Sequence, residues 1–132
     1  METIVKQQLT PMLAVHDAAA AIEFYKDAFG AEEIESARYE WEGKLGHAEV
    51  KIGDAVVMLA DEFPPNNQSP RMLNGTSVIL HLNMADCDAA TDRAVAAGAE
   101  LVRAPEDFPY GRKSKVRDPF GHVWMISGPT KG

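Results

Sequence analysis

The chain has 132 residues, 45% of them apolar and 25% charged, the scale and make-up of one ordinary globular domain. Its 13 basic and 20 acidic side chains leave a net charge of −7, a sign that repels phosphate backbones and anionic lipid, so no nucleic acid and no membrane is expected as a partner; a cationic ligand is only weakly favoured. No apolar run nears the ~20 residues of a membrane span, residues 1–10 lack the apolar core of a cleaved signal, and Cys87 is the only cysteine, so a reducing, cytoplasmic setting is expected.

In chain order, an apolar stretch at 9–15 reads as a strand, and Asp17 then offers a carboxylate to the free amides of a first helical turn. Ala18, Ala21, Ile22, Tyr25 and Phe29 recur at helical spacing, and Gly30 supplies the left-handed residue that stops the helix. Further on, Ala48, Val50 and Ile52 alternate with His47, Glu49 and Lys51, a strand that reverses at Gly53-Asp54 into the run AVVMLA. Residues 62–76, rich in Pro and Asn, read as a linker open to serving as a flap.

The second half follows the same plan. A strand at 77–84 leads to a helix capped by Asp86 or Asp88, with Cys87, Ala90, Ala94 and Ala97 as its apolar stripe and Gly98 as its stop. Cys87 on that stripe is a small core residue rather than a nucleophile. A loop carries Tyr110, Gly111 and Arg112, and the turn Asp118-Pro119-Phe120-Gly121 opens the run HVWMIS. The landmarks repeat at nearly one offset: Asp17 to Asp86 is 69 residues, Gly30 to Gly98 is 68 and Gly53 to Gly121 is 68. An internal duplication is the economical explanation. The expected fold class is therefore α+β, with two βαβββ modules at about 8–61 and 77–128 inside a single domain.

The segments LAVHDAAAAIEFYKDAFGA, GHAEVKIGDAVVMLADE, VAAGAELVRAPEDFPYGR and VRDPFGHVWMIS resemble the vicinal oxygen chelate superfamily. That group holds glyoxalase I, extradiol dioxygenases, fosfomycin-resistance transferases and bleomycin-binding proteins, and FY…AFGA with DPFGH.W is most similar to its phosphonate-operon-type, glyoxalase-like branch. The resemblance covers about residues 8–128. It implies curled mixed sheets around a shared cup for a small molecule, often in a homodimer. It is specific for fold and not for reaction, because this fold hosts many chemistries.

It also implies where a divalent metal would sit: on the first and last strands of each module, at Thr10, Met58, Ile79 and Met125. Ile has no donor atom, Met is soft and Thr weak, so the usual site is expected to be missing and no cofactor is expected. A displaced site is the alternative. His81 lies two residues beyond Ile79, on the same strand face, and His47 and Glu49 alternate with an apolar row. Two imidazoles and a carboxylate would suit zinc or iron; the plainer reading has the histidines hydrogen-bonding a ligand or each other, with Glu49 in solvent. His16 and His122 are expected to be exposed and receive no chemistry.

Other contacts are expected around the cup. Tyr110 offers an aromatic wall and Arg112 a planar fork for a carboxylate or phosphate; alternatively Arg112, Lys113 and Lys115 are merely solvated. Met58 and Met125 would make an apolar, adaptable floor. Trp41 is placed at the rim and Trp124 beneath a helix. No phosphate loop, Ser-His-Asp order or CxxC pair is present. The leading functional expectation is a metal-independent protein that binds or sequesters a small molecule. The alternatives are a metal-dependent lyase, isomerase or dioxygenase using His47, Glu49 and His81, and a protein-interaction module with a vestigial cup.

Overall fold

The computed structural model describes residues 7–132, so most of the N-terminal stretch read for a signal lies outside the described residues. Sheet one holds β1 (Met12–Val15), β2 (Glu32–Glu33), β3 (Tyr39–Trp41), β4 (Lys44–Ile52) and β5 (Ala55–Asp61). Its order is β1-β5-β4-β2, with β3 also on β4. Sheet two holds β6 (Ile79–Asn83), β7 (Glu100–Phe108), β8 (Gly111–Arg117) and β9 (Val123–Gly128), in the order β6-β9-β8-β7. In both, the first strand runs parallel to the last and the remaining pairs are antiparallel. The duplication read from the sequence is thus a duplication of topology, two βαβββ modules in an α+β fold, the first carrying one extra short strand, β3, that the second lacks.

Each module's helix follows its first strand and is set by its caps. Helix α1 (Ala18–Phe29) starts at Asp17, whose Oδ1 accepts from the Ala20 amide at 3.1 Å, and ends at Gly30 with φ of 70°. Asp61, at the end of β5, accepts from the Ala18 amide and from the Leu45 amide, both at 2.7 Å, so one carboxylate ties helix start to sheet. The second module's helix (Cys87–Ala97) is capped by Asp86, which accepts from the Ala89 amide. Asp88, left as an alternative cap, points away to Arg112 and Lys131. Cys87 is buried and free, in keeping with a core role.

The two modules share one core. Leu13, Val15, Val50 and Leu59 of sheet one and Val116, Trp124 and Ile126 of sheet two close on the same cluster, with the two helices against each other within it. Tyr25 and Phe29 lie 5.5 and 4.7 Å from the Trp124 ring, which is 3% exposed, so Trp124 does pack under a helix. Burial of such a side chain contributes roughly 1.5–3 kcal/mol.

The segment between modules is folded rather than a loose connection. It holds a short helix, α2 (Pro70–Leu73), a buried Ser69, and Glu62, which accepts from Ser69 and Arg71. It lies on the turn of module two, where a Cβ added to Gly121 would come 2.6 Å from Pro70 Cβ. The same turn corrects the expectation for two histidines. His122 Nε2 donates to the Ala14 carbonyl at 2.9 Å, and the His16 ring sits 5.1 Å from Phe120 with Nδ1 buried and without a partner among the described residues. Neither is freely exposed, because the turn of module two folds against the start of module one.

Candidate functional site

Alternation along the strands decides which side chains are available. Because the inner faces close on one core, the opposite face of each sheet is open, and within one chain the two open faces do not look at each other. On sheet one, Met12 is paired with Met58, and Met58 with Glu49 on its other side. Two residues along β4 lies His47, whose Nε2 is 2.8 Å from Glu49 Oε2. Met12 is half exposed at 50% and His47 and Glu49 are partly so.

On sheet two, His81 is paired with Met125, and Met125 with Lys115. Ile79 lies on the same face, 46% exposed, and His81 Nε2 is 2.6 Å from the Ser127 hydroxyl. Lys113, opposite Ser127, completes the row. A hollow of about 320 Å³ runs along this face between His81, Asn83, Tyr110, Lys113 and Ser127. A smaller one of about 90 Å³ adjoins it, lined by Arg103, Phe108, Tyr110, Lys115 and Met125.

The residues singled out from sequence therefore fall into groups. His47, Glu49 and Met58 are together on sheet one, and His81, Met125 and Tyr110 on sheet two. Among the described residues no three His, Cys, Asp or Glu side chains gather as a metal-holding group, so His81 does not join His47 and Glu49 within one chain. Trp41 packs against Phe63 at 5.1 Å, beside a hollow of about 330 Å³ at the end of sheet one. Arg112 parts from its neighbour Tyr110. It is on the helix side of β8, donating to Asp88 and Asp107, and is 19% exposed. The alternation Ser114, Val116 inward and Lys113, Lys115 outward places Arg112 on the inner side, because residue 112 belongs to strand β8 and not to a loop.

At the four positions where the resemblance implies a metal, the donor chemistry does not suit one. Thr10 precedes β1, Met58 is mid-β5, Ile79 opens β6 and Met125 is mid-β9. One hydroxyl and two thioethers cannot displace water from a hard or borderline divalent ion. On the parallel first strands, the partners of the two methionines are Met12 and His81, so in that pairing only module two carries an imidazole.

Several charged groups frame these faces without belonging to them. Hydrogen bonds from Arg112 and then Lys131 hold the Asp88 carboxyl below its ordinary range. Arg71, then Ser69, does the same for Glu62. Asp118 is 3% exposed and takes four donors: the Tyr25 hydroxyl and Trp124 Nε1 on Oδ2, and the Phe120 and His122 amides on Oδ1. Burial, and then the Asp118 charge, push the Tyr25 hydroxyl well above the usual tyrosine range. Asp61 is a structural carboxylate with no local signal, since its donors come from distant segments, whereas Asp118 is marked by its turn and only its bond to Tyr25, 93 positions away, is not.

A family model described as the Glyoxalase/Bleomycin resistance protein/Dioxygenase superfamily matches residues 7–126. An uncharacterised protein of Mycobacterium tuberculosis (strain H37Rv) is 42% identical over 132 residues, spanning 96% of this chain and 77% of its own. An uncharacterised Arabidopsis thaliana protein is 32% identical over 114 residues, 81% of this chain and 69% of its own. Among solved structures, TioX from Micromonospora sp. ML1 has a TM-score of 0.72 at 25% identity, covering 95% of this chain and 100% of that one. The fosfomycin resistance protein FosX from Mesorhizobium loti has a TM-score of 0.68 at 16% identity, covering 97% and 96%, a likeness of fold alone.

Proposed function

The chain belongs to the glyoxalase/bleomycin resistance protein/dioxygenase superfamily, and from that premise we propose that it binds a small organic molecule, without the superfamily's usual metal, in a cup completed by a second copy of itself. The observation that carries this reading is the set Thr10, Met58, Ile79 and Met125, a poor donor set at the positions where the superfamily's chemistry needs a good one. Met58 and Met125 instead offer an apolar, deformable floor that adapts to a ligand's shape. His47, Glu49 and His81 are then polar contacts that orient the ligand, with Tyr110 and Trp41 at the margins. The protein works in the cytoplasm, where a single buried thiol needs no protection.

The homodimer is supported by the way one chain is packed. Two half-cups on either side of a common core each need a complement, and both expose apolar side chains, Met12 on one and Ile79 on the other. A second copy supplies both complements at once, in the closed two-fold arrangement that soluble homo-oligomers favour.

The adjacency of His47 and Glu49 at 2.8 Å favours one second reading, a metal-dependent lyase, isomerase or dioxygenase whose third ligand is His81 from the other copy. Elemental analysis of protein purified without chelator, combined with sedimentation, separates the two. The expected result is no stoichiometric zinc, iron or manganese and a species of twice the 14.4 kDa chain mass at about tens of micromolar. Close to one metal per chain, lost in His81→Ala, would establish the enzyme instead. A monomer throughout that range would remove the shared cup.

A further inference from the structure

We infer that the ligand is a small organic anion, a carboxylate or phosphoryl-type group on an apolar or planar body, held by Lys113 and Lys115 on the open face of sheet two. The inference rests on the reading that this face binds a small molecule, and adds the ligand's charge and the residues that select it.

The chain as a whole is −7, which taken alone favours cations. On the β7–β8 hairpin the balance is reversed. Lys115 stands opposite Arg103, Lys113 opposite Glu106 and Arg117 opposite Glu100, so four cations and two carboxylates share the face, and Glu100 is already paired with Arg117. Glu106 leans to Arg103 at 3.5 Å. Among the described residues no carboxylate forms an ion pair with either lysine; Lys113 Nζ rests instead 3.7 Å from Met125 Sδ. By contrast Arg112, one residue away on the other face, has two carboxylates. Neighbouring like charges without counter-charge repel, and an anion placed between them removes that penalty with charge-assisted hydrogen bonds.

Phe108 and Tyr110 are stacked at 5.7 Å, nearly parallel, and Tyr110 is 73% exposed. Arg103 caps Phe108 at 5.2 Å and Lys113 lies 5.0 Å from the Tyr110 ring. The cations fix the pair in place, so an exposed ring edge and the Met125 thioether border the same hollow as the lysines. A lone inorganic anion would leave that apolar wall unused. An organic anion satisfies both parts.

The test is a titration of the full-length protein, followed by amide chemical shifts, with four probes built on one ring: benzoate, phenylphosphonate, benzyl alcohol and benzylamine. The expected result is that one or both anions bind at least about ten-fold tighter than the alcohol and the amine, moving the amides of residues 110–115 and 125. Whichever anion wins identifies carboxylate or phosphoryl recognition. Lys113→Gln with Lys115→Gln, both outward-facing and so without consequence for the core, should abolish the preference for the anions over the alcohol and the amine. Binding of the alcohol or amine here as tightly as the anions would overturn the inference and leave a binding protein. Anion shifts centred on residues outside this face would also overturn it. No shift on either open face with any probe would overturn both this inference and the binding reading beneath it.

Discussion

The hydroxyl of Tyr25 donates to Asp118 Oδ2 at 2.5 Å, joining the helix of module one to the turn of module two through a bond that water does not reach. The Asp118 carboxylate is buried with its charge, and such a group is tolerated only while its lone pairs are occupied.

Tyr25→Phe keeps the ring and removes one of those donors. Asp118 Oδ2 then retains only Trp124 Nε1. A hydrogen bond to a buried charge carries about 1.5–3 kcal/mol, so the midpoint of urea unfolding should fall by the equivalent of that amount with an unchanged slope. A change under 0.5 kcal/mol, on the order of a surface substitution, would mean that the bond holds nothing together.

The same bond predicts an alkaline limit. Burial and the neighbouring carboxylate raise the Tyr25 hydroxyl well above its ordinary value, so the folded state holds a proton that the unfolded chain gives up near pH ~10. The stabilisation is complete below that pH and is lost progressively as pH rises towards the raised folded value. The stability gap between wild type and Tyr25→Phe should therefore narrow above about pH 10. A gap constant to pH ~11 would contradict the assignment.

Gly121→Ala probes the docking of the inter-module segment. Gly121 has φ of 93°, and the added Cβ would lie 2.6 Å from Pro70 Cβ. Backbone strain of this kind costs about 1–3 kcal/mol, and the rigid proline ring cannot turn aside. Hydrogen exchange should accelerate at Met72, Leu73 and Gly75, whose amides donate to Ser69 and Pro70 carbonyls. Unchanged protection there would show that the segment is held by Glu62, Ser69 and Arg71 alone.

What the sequence by itself determined is local or repeated. Asp17 as cap, Gly30 as stop and the Asp118–Gly121 turn act within a few residues of themselves, and the offsets of 69 and 68 carried the module plan without any long-range information. The faces of His47, Glu49, His81 and Met125 follow from two-residue alternation alone. The outward turn of Lys113 and the inward turn of Arg112 were equally legible by that rule.

Only the tertiary structure decided the rest. Asp86 and Asp88 are equivalent as letters, and the choice between them came from Arg112 and Lys131 claiming Asp88. His122 meets Ala14 across 108 positions and Tyr25 meets Asp118 across 93, pairings with no local signal because they depend on how two helices pack between two sheets. That packing also turns the open faces away from each other. The residues of each half-cup are written in strand periodicity; their separation within one chain follows from burying both inner faces in a single core.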